Sequence, residues 1–154
     1  MDLDQLGSKM EEILRRELDL FREMEQHSRE QIALLSADSP DVEKVAELMA
    51  KKQAIVERLD ELDATSKGTK ANWDQVGQDV AEENRKPVRR VASEITEVLE
   101  TLMALEKDNE EKLRCCAAEV NRELASMQRA RLASRAYYAA RFGPEDARFL
   151  DRRR

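Results

Sequence analysis

The longest uninterrupted segment of this 154-residue chain lies between Pro87 and Pro144. Within it apolar residues recur as Val88, Val91, Ile95, Val98, Leu102, Leu105, Leu113, Cys116, Val120, Leu124 and Met127, with Asn109 in the same series. Up to Leu105 the steps alternate between three and four, the register of a left-handed coiled coil. Beyond Leu105 they mix in stutters, which locally unwind a supercoil. The spacing predicts one helix from Pro87 to Phe142. Gly143-Pro144 ends it, because glycine can take a left-handed cap and proline cannot continue a helix. A helix of this length has to be covered along its stripe, so the chain is directed to an all-α fold: an elongated antiparallel helical bundle or coiled coil. Asn109 in the seam either fixes register at a cost in stability or faces water between stutters.

Two further long helices precede it. The first is read over Leu3 to Leu35, with a broad stripe that includes Leu6, Met10, Leu14, Leu18 and Phe21. The connection Ser36 to Ser39 is short, so the second helix turns back antiparallel. That helix is read from Pro40 to about Asp63, with Ser39 as N-cap, Pro40 in the first turn and Asp41 as an early acid. Its seam is Val42, Val45, Leu48 and Met49, Ile55 and Val56, Leu59 and Leu62. Lys52 falls inside it, with a stem that can snorkel to water. Thr65 to Thr69 reads as a break. A short helix from Trp73 to about Asn84 follows, weakened by Gly77, unless the second helix extends into this region. Trp73 is read first as an anchor of the middle segment on the bundle and second as a contact for a partner. The organisation expected is one helical-bundle domain over 1–142 and a basic tail over 143–154.

Composition narrows function more than fold. With 4% aromatics, four glycines and 39% charged residues, the chain lacks the turn and core chemistry of a β-sandwich or barrel. No run approaches the ~18 apolar residues needed to cross a membrane, and MDLDQLGSKMEE lacks the basic-then-apolar pattern of a secretory signal. A cytoplasmic, reducing setting is expected. Cys115 and Cys116 read as packing residues: a disulfide between neighbours does not suit a helix, and there is no second pair for zinc. His27, with no ligand at metal spacing, reads as a packed or surface imidazole. The many acids at helical spacing, as at Glu43 and Glu47 near Lys51, read as a solvated face with ion pairs. No phosphate loop, nucleophile elbow or triad is present. No enzymatic activity, metal or cofactor is expected.

Length and charge point to a partner. A third helix of roughly 80 Å cannot be covered by helices of about 50 Å and 35–40 Å. Its excess stripe meets another chain, pairs with a second copy as a homodimer, or bends back on the bundle. Residues 129–154 hold eight arginines against three acids, net +5; the whole chain is −6, which leaves −11 on residues 1–128. Four of the six aromatics, Tyr137, Tyr138, Phe142 and Phe149, lie in the same stretch. Arginine and tyrosine are enriched at interface hot spots. The acidic balance of the chain and the absence of a nucleic-acid motif argue against a nucleic-acid partner.

Three stretches together resemble a known family. They are Glu12 to Leu35 (EILRRELDLFREMEQHSREQIALL), Lys51 to Asp63 (KKQAIVERLDELD), and Leu102 to Tyr138 with its core Asp108-Asn109-Glu110, followed by the tail ARFLDRRR. Their order is similar to that of the FlgN-type flagellar export chaperones and their FliT-like relatives. The resemblance implies a non-enzymatic cytoplasmic chaperone. It would bind flagellar hook-associated proteins through a client helix and help deliver them to components of the type III export apparatus. It also implies a client-binding surface toward the C-terminal helical region, carried here by Leu124, Met127, Leu132, Tyr137, Tyr138 and Phe142. Helix-in-groove recognition would be the physical mode. The alternative is a structural coiled-coil or oligomerisation protein without a chaperone role.

Overall fold

The computed structural model describes residues 2–142, the side chains of Tyr138 and Phe142 excepted. Four helices make it up: α1 (Leu3–Leu35), α2 (Val42–Val76), α3 (Glu82–Leu113) and α4 (Ala117–Phe142), with a short 3-10 turn at Gly77–Asp79. No strand occurs among the described residues.

The helix starts follow side-chain caps. Asp2 accepts a hydrogen bond from the Asp4 N–H at 3.4 Å at the head of α1. Asp41 accepts one from the Lys44 N–H at 3.2 Å at the head of α2. Asp41, and not Ser39, is therefore the cap, and Pro40 stays outside the helix, because the aspartate supplies the acceptor that the first free N–H groups need.

Three boundaries differ from the sequence reading. First, of the two courses left open after Asp63, α2 takes the extended one and continues to Val76. The residues read as a break are absorbed: the hydroxyls of Thr65 and Ser66 bond back to the carbonyls of Leu62 and Asp63 at 3.1 and 3.4 Å. Ser66 is buried beside α1, near Ile13 and Arg16. Lys70 ties the same turn down by pairing with Glu17 of α1 and, at 3.1 Å, with Asp63. Second, the short helix over 73–84 does not form. Trp73 lies in the last turn of α2 instead, its carbonyl accepting from the Gly77 N–H, and Val80 is extended. Third, α3 begins at Glu82, so Pro87 lies inside the helix rather than in its first turn. Arg85 pairs with Glu82 across that first turn and Arg89 pairs with it from the second.

α1, α2 and α3 span 33, 35 and 32 residues, about 50 Å each, so they cover one another end to end. α1 is central. It runs parallel to α3, with Gly7 beside Asn84 and Ser28 beside Glu106. It runs antiparallel to α2, with Gln31 bonded to Lys52. The lower apolar cluster joins Met10, Leu14 and Leu18 of α1 to Val88, Val91 and Ile95 of α3, with Phe21, Trp73 and Val98 packed against it. Burying each such side chain stabilises by about 1.5–3 kcal/mol relative to exposure. The upper cluster is Leu35, Val45 and Val120, so it joins α1, α2 and α4.

Between the two clusters lies a polar layer. Lys52 reaches Glu106 at 2.6 Å and Gln31 at 3.1 Å. The Ser28 hydroxyl donates to the same Glu106 oxygen at 2.5 Å. Asn109, buried, donates to the Ser28 carbonyl at 3.1 Å. Of the two readings of Asn109, the register-fixing one therefore holds. Lys52 does not snorkel out to water; its ammonium is used inside the layer. His27 is half-buried, with Nδ1 lacking a partner and Nε2 3.9 Å from Glu23. Exposed ion pairs run along α1 (Arg15 with Glu11, Arg16 with Glu12, Arg29 with Glu25), and such pairs each contribute little.

Gly77 owes its identity to Trp73. A Cβ at this position would lie 2.9 Å from the indole, closer than van der Waals contact permits. Gly77→Ala is expected to destabilise the chain by about 1–3 kcal/mol through this overpacking, as measured by urea unfolding. The double substitution Gly77→Ala/Trp73→Leu should cost less than the two single costs added together.

Candidate partner-binding site on the fourth helix

The long helix read over 87–142 is interrupted at Arg114 to Cys116. The N–H groups of Cys115 and Cys116 bond to the carbonyls of Lys112 and Leu113, three residues back, at 3.3 and 3.1 Å. The N–H groups of Glu119 and Val120 then both bond to the Cys116 carbonyl at 3.1 Å and restart the helix as α4. No proline or glycine causes the break. Its gain is burial: Val120 falls to 2% exposure against Leu35 and Val45. Of the three fates of the excess stripe, the structure takes the bend. α4 returns along α2 in the same direction as α2.

The contact between α4 and α2 is tight at its start and opens further on. Leu124 is half-buried and packs on the upper cluster beside Met49. From there a groove of about 390 Å³ lies between the two helices. Met49, Ala50, Gln53, Ala54 and Glu57 of α2 form one wall; Leu124, Met127, Gln128 and Arg131 of α4 form the other. Its lining combines small alanines four apart with flexible methionines, which suits an inserted apolar ridge.

The residues expected to bind a partner do not share one face. Leu124 and Met127 line the groove. Leu132 and Tyr137 are exposed, at 51% and 58%. At 100° per residue they are rotated about 80° and 140° from Leu124. The Tyr137 hydroxyl accepts a hydrogen bond from Arg141 at 3.2 Å. Tyr138 and Phe142 belong to α4, but their side chains lie outside the described residues, as does the tail over 143–154. The α2 wall was missed by sequence reasoning. Its signal was available in Ala50 and Ala54, spaced one turn apart beside the Met49 seam.

Charge sets the two walls apart. After Glu123, α4 carries Arg129, Arg131, Arg135 and Arg141 and no acid. The facing wall of α2 carries Glu57, opposite Arg131 of α4, while Glu61 and Arg58 line a separate cleft toward α1. Among the described residues no helix is long and apolar enough to cross a membrane.

A matched three-helix body with a fourth helix that opens a groove defines an all-α helical bundle. The sequence matches the FlgN protein family over residues 1–141, which takes in all of α1, α2 and α3 and all but the last residue of α4; the chain belongs to that family, the flagellar export chaperones. Among curated proteins and among solved structures nothing matches.

Proposed function

We propose that this protein is a cytoplasmic chaperone of flagellar hook-associated proteins. It holds the amphipathic terminal helix of its client in the groove between α2 and α4 and passes the client to the type III export apparatus. The observation that carries this reading is the groove itself, an apolar-floored opening between helices that are closely packed only at one end. A client helix buries its apolar ridge there and is kept from self-association, while Glu57 on one wall and Arg131 on the other bias its orientation.

Co-purification with hook-associated proteins tests the function. Deletion of residues 124–142 removes the α4 wall while leaving the three-helix body and Val120 in place, and is expected to abolish client binding. Binding that survives this deletion would place the client elsewhere. A tight, salt-insensitive homodimer that buries Leu132 and Tyr137 in sedimentation, with no client captured, would instead support a structural coiled-coil module.

A further inference from the structure

The two cysteines stand where the helix breaks. In a continuous helix, adjacent side chains diverge by about 100° and cannot be bridged. Here the pair sits in the turn between α3 and α4. The N–H groups of Cys115 and Cys116 already bond to carbonyls three residues back, so neither donates an α-helical bond that closure of a ring would break. Cys115 is exposed and Cys116 half-buried, with the Cys116 thiol 3.9 Å from the Lys112 carbonyl. Both open onto a cleft of about 630 Å³ between this turn and the α1–α2 connection, lined also by Arg114 and Arg122. They are the chain's two cysteines, so an intramolecular disulfide can form only between them.

We propose that Cys115 and Cys116 form a redox-active vicinal dithiol, which a low-molecular-weight disulfide oxidises to a Cys115–Cys116 disulfide that holds the α3–α4 bend. The accessible Cys115 thiolate attacks one sulfur of the small disulfide. A mixed disulfide forms on Cys115, and the expelled thiolate takes up the proton that Cys115 released. Cys116 then loses its proton and attacks the Cys115 sulfur, expelling the second small thiolate, which is protonated in turn. Two protein thiols are oxidised with loss of two hydrogens, and one small disulfide is reduced to two thiols. Burial pushes the Cys116 thiol above its ordinary pKa, with Cys115 and Glu119 adding to the effect; the first attack falls to Cys115 because it is the exposed thiol of the pair.

Adjacent Cα atoms are ~3.8 Å apart, short of the usual span of ~4.4–6.8 Å for a disulfide. The bond is therefore strained and readily reduced, as a reversible site requires. Because the Glu119 and Val120 N–H groups both bond to the Cys116 carbonyl, fixing this turn also fixes the first turn of α4 and the angle at which it meets α2.

The full chain is incubated with glutathione disulfide at mildly alkaline pH, quenched with acid, and followed by intact mass and by amide exchange. The expected result is a mass lower by two hydrogens, restored by dithiothreitol, with exchange at Glu119 and Val120 slowed about threefold or more. Cys116→Ser should stop at a chain carrying one glutathione. A wild-type chain that retains glutathione, links to a second copy or keeps its mass would overturn the proposal. So would a disulfide that leaves exchange unchanged. No client enters the experiment, so its outcome is independent of the chaperone reading.

Discussion

Ala54→Trp is expected to weaken binding of a hook-associated terminal helix by about ten- to a hundredfold. Ala54 lies on the α2 wall of a groove of only about 390 Å³ and is itself exposed. An indole there occupies the space of one apolar client side chain. Losing the burial of one such side chain costs about 1.5–3 kcal/mol, and each 1.4 kcal/mol is tenfold in affinity. The substituted side chain belongs to neither buried cluster, so thermal unfolding of the free chain should stay within about 2 °C of the parent. Fluorescence anisotropy with a labelled client peptide gives the affinity, and calorimetry gives the melting temperature. The control is Leu132→Ala/Tyr137→Ala, which alters the faces of α4 turned away from the groove and should change affinity little. The reverse result, with Ala54→Trp neutral and the Leu132/Tyr137 variant weak, would move the client to the outer side of α4.

The helices themselves were legible because their apolar periodicity is local. The stripe Met10, Leu14, Leu18 and the stripe Val88, Val91, Ile95 could be read from spacing alone, and these are the residues that meet in the lower cluster. Asn109 was legible as a seam residue, but its partner was not: the Ser28 carbonyl lies 81 residues away in sequence. The boundaries failed where tertiary contact outweighed local preference. Thr65, Ser66 and Gly68 have turn chemistry, yet Ser66 is buried with its hydroxyl returned to the Asp63 carbonyl, and Lys70 ties the turn to Glu17 of α1. Pro87 reads as a helix start, yet the acids at Glu82 and Glu83 and the arginines at 85 and 89 begin the helix earlier. The bend at Arg114 to Cys116 had only the stutters after Leu105 as a warning. Its cause, the pocket for Val120 beside Leu35 and Val45, exists only once α1 and α2 are packed. The candidate site inherits that limit. Its α4 half was named from the resemblance, whereas Ala50 and Ala54 of the α2 half are a visible small-residue pair whose partner is fixed only when α4 has folded back.

Glu106→Leu is expected to cost about 2–3 kcal/mol in urea unfolding, and the added substitution Lys52→Met to restore most of it. The Lys52 side chain is 12% exposed and Glu106 46% exposed, with 2.6 Å between the charged atoms. Removing Glu106 leaves a nearly buried ammonium with the Gln31 amide oxygen at 3.1 Å as its remaining partner, and it takes the acceptor from the Ser28 hydroxyl. Removing Lys52 instead leaves a carboxylate that is half in water and still accepts from Ser28, so Lys52→Met should cost only about 1 kcal/mol. The double variant replaces the pair by apolar side chains of similar length between two apolar clusters, and should lie within about 1 kcal/mol of the parent. The single costs would then exceed the double by about 2 kcal/mol, a coupling that only direct interaction produces. Additive costs would mean that water, and not Glu106, compensates the Lys52 charge. If coupling is found and the double variant remains as stable as the parent, the polar layer contributes little net stability. Its value then lies in register, because Lys52, Glu106 and Asn109 can meet Ser28 and Gln31 in only one alignment of α2 and α3 on α1.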